Sequence, residues 1–80
     1  REEMLVITME ECAELIQACS KMIRFDEPCD YKQLQEEIGD VMCMLEILKD
    51  GGLVTEEQIQ KRMAVKTEKL IEWSLLFSED

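Results

Sequence analysis

Four acidic residues stand out by type and spacing: Glu11 and Glu14 are three apart, and so are Glu37 and Asp40. Residues at that spacing project from one helix face, so each pair can aim two carboxylates at one point. No lysine or arginine occurs from Met9 to Ser20 or from Gln33 to Leu48, so the i,i+4 basic partner usual on a solvated glutamate face is missing. Four carboxylates converging on one spot repel, and something positive must sit among them. The chain has no histidine, and an all-oxygen donor set selects a hard cation, Mg²⁺ or Mn²⁺, over zinc or copper. The plainer alternative is surface glutamate, a good helix former. Two uncompensated pairs beside apolar stripes weigh against it.

The elements that must position these acids read as three helices. From Glu2 to about Ile23 there is no glycine or proline, and Leu5, Met9, Cys12, Ile16, Cys19 and Ile23 recur at three-four spacing. The segment 24–30, "RFDEPCD", holds the only proline and breaks the pattern, and Asp30 with Gln33 resembles a capping box opening a second helix from about Tyr31 to Lys49. Leu34, Ile38, Val41, Leu45 and Leu48 form its main stripe, while Met42, Cys43, Met44 and Ile47 make its second half apolar almost all round. "DGG" at 50–52 ends it, and Thr55 with Gln58 opens a third helix running to about Trp73 or beyond. The apolar positions of this last helix, Ile59, Met63, Val65, Leu70 and Trp73, are sparser. At ~1.5 Å per residue, Glu14 lies ~13 Å from the end of the first helix and Glu37 ~9 Å from the start of the second, so an antiparallel hairpin sets the two pairs face to face. Gly39, inside the second pair, costs roughly 1 kcal/mol against alanine. It is either tolerated in a well-packed helix or required because a side chain would crowd the neighbouring helix or a ligand.

Eighty residues form one domain, 1–80, and a chain of this size buries only roughly 60% of its unfolded surface. Three amphipathic stripes leave one side of a bundle open. The expected architecture is all-α: an antiparallel helical bundle of three long helices completed by dimerisation. A formal charge of −10 disfavours nucleic-acid polymers and anionic membrane surfaces as partners. No uncharged run reaches the ~18–20 residues of a membrane span. Cys12, Cys19, Cys29 and Cys43 contain no CxxC pair, which fits free thiols in a reduced, cytoplasmic protein better than a disulfide framework. The chain opens on Arg1 and not methionine, as a piece trimmed from something longer would.

The segments "EECAELIQACSKMIRF" and "QEEIGDVMCMLEIL" together resemble the MazG-type all-α nucleoside triphosphate pyrophosphohydrolases, whose pattern is EExxE, a variable spacer, then ExxD. Here Glu10, Glu11 and Glu14 are followed, after 22 residues, by Glu37 and Asp40. The resemblance implies a homodimer or dimer of dimers that binds Mg²⁺ and cleaves a nucleoside triphosphate to monophosphate and pyrophosphate. It also implies Glu11, Glu14, Glu37 and Asp40 as metal ligands, with Glu10 and Glu36 as helpers at most. A carboxylate not saturated by metal would act as general base, Glu14 or Glu11. Family members carry basic residues on the helix after ExxD, matching Arg62, Lys66 and Lys69; Lys21 and Arg24 are a second candidate pair for the phosphates. The alternative for each is an ordinary exposed basic residue, with Glu68 and Glu72 able to pair with some of them.

Base recognition is not legible. Trp73, Phe25, Tyr31 and Phe77 are the only aromatics, and each reads more readily as core or interface filling than as a stacking platform. Within the same fold, phosphoribosyl-ATP pyrophosphohydrolase is a related activity. A reading of a different class is a non-catalytic helical oligomerisation module in which the acids are surface charge.

Overall fold

The computed structural model describes residues 1–24 and 31–78. It contains three α-helices, α1 (Glu2–Arg24), α2 (Tyr31–Asp50) and α3 (Glu56–Trp73), and no strand among the described residues. Glu2 and Glu3 in the first turn of α1 and Lys21 and Arg24 in its last complement the helix dipole. The proposed Asp30 cap of α2 lies outside the described residues, as do Phe25 and Cys29. No described helix is long and apolar enough to cross a membrane.

The end of α2 is built by its glycines. Gly52 has φ +80°, a left-handed conformation that an L side chain rarely adopts. The Gly52 N–H donates to the Lys49 carbonyl (2.9 Å) and the Leu53 N–H to the Leu48 carbonyl (3.2 Å), the paired bonds of a Schellman cap. Thr55 then caps α3 as its sequence predicts. The Gln58 N–H donates to Thr55 Oγ1, and the Thr55 N–H to Gln58 Oε1, each at 3.2 Å. Lys49 ties the two helices across this turn, reaching Glu56 at 2.6 Å and Glu46 at 3.0 Å. Hydrogen bonds to Glu56 and then Glu46 raise the Lys49 amine above its ordinary pKa.

The helices α1 and α2 pack as an antiparallel hairpin, with Met4 at the start of α1 lying against Gly51 just past the end of α2. The expected three-helix bundle is not closed within one chain, because α3 leaves the capped turn without packing along either partner. Among the described residues only Ala18 (3% exposed) and Met44 (7%) are buried, one in each hairpin helix.

On α1 the face that packs is not the one marked by the most apolar periodicity, whereas on α2 the two overlap. On α1 the buried or half-buried positions are Met4, Ile7, Thr8, Glu11, Cys12, Leu15, Ala18, Ser20 and Met22, of which Met4, Ile7, Glu11, Leu15, Ala18 and Met22 form one series, and on α2 they include the series Leu34, Glu37, Val41, Met44 and Leu48. Both series keep three-four spacing, so both are proper seams. The expected stripe of α1 lies one residue, ~100°, round the helix. Of its members Cys12 is half-buried, while Met9 (70%), Ile16 (69%) and Ile23 (85%) are largely exposed; of the expected α2 stripe, Leu34, Val41 and Leu48 lie in the seam and Ile38 and Leu45 are exposed. The packed seam is thus the series that contains an acid in each helix.

Candidate metal centre

The consequence of that seam is direct. Glu11 and Glu37 occupy positions that a hairpin ordinarily gives to leucine, and each is only half exposed. Glu14 and Asp40 lie ~80° round their helices from the seam and are exposed. In an antiparallel pair, equal offsets in the same sense about each helix point to the same side of the hairpin. Glu14 and Asp40 therefore form an acidic mouth on one broad side, with Glu11 and Glu37 at its floor. One carboxylate oxygen from each of the four lies within 4.8 Å of all the others.

The electrostatics of the cluster are those of acids acting on acids. Oε2 of Glu11 and Oε2 of Glu37 are buried and have no hydrogen-bond partner, although buried polar atoms are almost always paired. Both carboxyls are raised above the usual carboxylate range. Loss of hydration in the seam is the first cause for each. Next for Glu11 come the charges of Glu14 and Asp40, and for Glu37 the charge of Glu14. The nearness of the Glu14 carboxyl raises each of them further. Every charged group acting on either is another acid; no lysine or arginine contributes.

The donor set fits a hard divalent cation. Opposite oxygens around one Mg²⁺ stand ~4.2 Å apart, twice its ~2.1 Å bond, while Ca²⁺ at ~2.3–2.6 Å sets them ~4.6–5.2 Å apart. The 4.8 Å spread of the cluster takes the larger ion as it stands and the smaller after closing by about half an ångström. The two buried, unpartnered oxygens are the atoms such an ion would satisfy.

The other sequence candidates fall in different places. Lys21 lies on the mouth side of α1, two turns beyond Glu14 and hence ~10 Å from it along the axis. Arg24 closes α1 and makes interactions of its own. Arg62 and Lys66 line a shallow groove with Ile59 and Met63, and the Lys66 amine sits 5.7 Å from the Trp73 ring centroid, a cation–π contact. Lys69 is exposed on the same helix. The single chain does not bring these three α3 residues to the carboxylates. Trp73, Tyr31 and Phe77 are exposed and fill no core within the chain. Glu10 and Glu36 are exposed, away from the seam.

Gly39 is not explained by crowding inside the hairpin, since a Cβ there would meet nothing within 4 Å. What sequence reasoning missed is that Glu11 and Glu37 are seam residues. The signal was present in the series 34, 37, 41, 44, 48, which keeps perfect three-four spacing once an acid is admitted to it. No family model, curated protein or solved structure matches the chain.

Proposed function

We propose that the chain is a Mg²⁺-dependent nucleoside triphosphate pyrophosphohydrolase of MazG type, with Mn²⁺ as a substitute ion. It cleaves (d)NTPs to (d)NMPs and pyrophosphate in the cytoplasm, as a house-cleaning activity on the nucleotide pool. The observation that carries this reading is the pair of seam carboxylates, Glu11 and Glu37, each with a buried oxygen that no group in the protein satisfies. The EExxE and ExxD pattern supports it independently.

Glu11 and Glu37 hold the ion from the floor, and Glu14 and Asp40 hold it from the mouth. When bound, a divalent ion screens the charge of a triphosphate and makes water more acidic. Glu14, exposed at the mouth and touching both floor residues, accepts the proton of the water that attacks the α-phosphorus. Glu11, in the seam, is the less accessible choice for that role. The bond from the α-phosphorus to the α–β bridging oxygen breaks, and the β- and γ-phosphates depart as pyrophosphate. Lys21, on the mouth side, attracts the phosphates into a protein whose overall charge of −10 would otherwise repel them.

The test is pyrophosphate release from a panel of NTPs and dNTPs with Mg²⁺, with and without EDTA, for wild type and Glu37→Gln. Release that needs metal and disappears in the variant is the expected result. A folded protein that turns over no triphosphate, phosphoribosyl-ATP included, sinks the reading. The exposed apolar surface of the hairpin favours a second reading, a non-catalytic oligomerisation module. That module would be indifferent to Mg²⁺.

A further inference from the structure

The helix α3 carries a seam of its own that the hairpin does not fill. Ile59, Met63, Lys66, Leu70 and Trp73 recur at three-four spacing, and Met63 and Trp73 are exposed. Arg62 and Lys69 flank this series, and neither they nor Lys66 makes an ion pair among the described residues. The mouth side of α2 carries a matching series. Gln33, Glu36, Asp40, Cys43 and Ile47 also keep three-four spacing, all within ~60° of Asp40 about the helix.

The two series match in register. Counted at equal rise from the facing ends Asp50 and Glu56, an α3 laid back antiparallel along α2 sets Ile59 level with Ile47, Met63 with Cys43, Lys66 with Asp40, Leu70 with Glu36 and Trp73 with Gln33. Apolar residues meet at the turn end, and the cation of the α3 series meets the acid of the mouth. Lys69, beside Leu70, comes level with Glu37. The linker 51–55 has the length that antiparallel helix hairpins use. Its pivot is narrow: the α2 cap ends with the bond from the Leu53 N–H, and the α3 box begins at Thr55. Rotation about Leu53 and Val54 therefore carries α3 as one body and breaks neither cap. Lys49 grips Glu56 beside that pivot and does not oppose the swing.

We infer that α3 is a lid, open in this structure, which swings about Leu53 and Val54 onto the mouth side of its own hairpin once a cation-held polyphosphate fills the mouth. The inference rests on the function proposed above and adds a movement to it. Charge supplies the drive: four carboxylates and one divalent ion leave about two negative charges, and a triphosphate adds about four more. Lys66 then stands over the middle of the acids, with Arg62 and Lys69 ~5 Å to either side of it along the axis. The Lys66 amine and the Trp73 ring, already in contact at 5.7 Å, move in together, and closure covers both. The apolar pairs at the turn end hold the closed lid in a single register, which charge alone does not specify.

Native reporters test the movement. Trp73 is the only tryptophan, and Cys43 and Cys19 are both exposed, Cys43 on the mouth side and Cys19 on the other. In excess Mg²⁺ with inorganic tripolyphosphate, acrylamide quenching of Trp73 should fall several-fold from its value in EDTA. Alkylation of Cys43 should slow by about an order of magnitude while that of Cys19 is unchanged. Lys66→Glu should abolish both effects; Lys61→Glu, the same charge change at a residue paired with Glu57, should keep them. A short bismaleimide should bridge Cys43 to the thiol of Met63→Cys in the loaded state, but not to that of Val65→Cys on the opposite face of α3. With ¹⁴N and ¹⁵N chains mixed, the bridged peptides should carry one label; mixed labels would mean that α3 comes from a second copy and would overturn the lid. Mn²⁺ in place of Mg²⁺ reports occupancy through the loss of its free-ion resonance. A filled site with Trp73 and Cys43 unchanged overturns the lid and leaves the cation site standing, whereas Mn²⁺ that does not bind removes both.

Discussion

Adding Mg²⁺ to the metal-free protein should raise its thermal midpoint, and the size of the rise follows from the cluster. Four carboxylates offer one oxygen each within 4.8 Å of one another, and two of them have buried oxygens without partners among the described residues. A site of that kind exists only in the folded hairpin, so an ion that fills it stabilises the folded state by linkage. At ten times the dissociation constant the gain is ~1.4 kcal/mol, and at a hundred times ~2.7 kcal/mol. For a domain of this size each kcal/mol moves the midpoint by ~4–8 °C, so the expected rises are ~6–11 °C and ~11–22 °C. The control is sodium chloride at matched ionic strength, which screens charge without occupying the site. Glu37→Gln adds a second, opposite effect. It removes a ligand, so the response to Mg²⁺ shrinks, but it also takes one uncompensated charge out of the seam, so the metal-free midpoint rises. The variant should therefore be the more stable protein in EDTA and the less stable one in saturating Mg²⁺. Glu36→Gln, at an exposed neighbour outside the cluster, should leave the wild-type response intact. Differential scanning fluorimetry over a metal titration reads all of this. The reasoning is refuted if the chloride control reproduces the Mg²⁺ shift, or if the Glu37→Gln curve never crosses that of the wild type.

Acidity gives a second handle. Glu11 and Glu37 are raised in the folded protein by burial and by Glu14, Asp40 and Glu36, so their contribution to stability is complete below the unfolded carboxylate value of ~4.3 and is lost as pH rises through their raised folded values. Glu56, lowered by its hydrogen bonds to Lys49 and Gln60, runs the other way, its contribution present above the unfolded value and lost as pH falls through the lowered one. The metal-free protein should thus lose stability as pH rises through the raised values of Glu11 and Glu37, and saturating Mg²⁺ should offset that loss; a metal-free midpoint that only climbs as pH rises from below the unfolded carboxylate value contradicts this. Gly39→Ala should stabilise α2 by ~1 kcal/mol if only the chain's own contacts matter, and guanidinium unfolding monitored by circular dichroism would show a later midpoint. Thr55→Ala removes the side-chain half of the α3 capping box and should cost ~1 kcal/mol, seen as faster amide exchange in the first turn of α3 with the hairpin unaffected.

How far the sequence carried the fold can be judged helix by helix. The ends of α2 and α3 were legible because glycine and threonine act there through local chemistry: a left-handed cap at Gly52 and a reciprocal hydrogen-bonded box at Thr55. The meeting of the four acids was legible because their spacing and level are fixed by helical rise alone. The facing of the hairpin was not. α1 carries two series at three-four spacing, one residue apart, and periodicity rates the fully apolar one higher; on α2 the expected and packed series share Leu34, Val41 and Leu48 and part where Glu37 and Met44 replace Ile38 and Leu45. The position of α3 was illegible for a related reason. Its stripe of Ile59, Met63, Leu70 and Trp73 promises packing, but Met63 and Trp73 stay exposed in the isolated chain.

The placement of Glu11 and Glu37 in the seam bears on how this protein would respond to selection. Leucine at either position would suit the hairpin better in the absence of metal, as apolar residues replacing buried charges often do. A screen for thermostability run in a chelating buffer would therefore find these two positions early and reward their loss. The resulting chains would express well, melt late and pass every test of folding, having shed half of the proposed cation site in the process. The same screen run in magnesium would protect both glutamates, so the composition of the buffer would decide which protein is recovered.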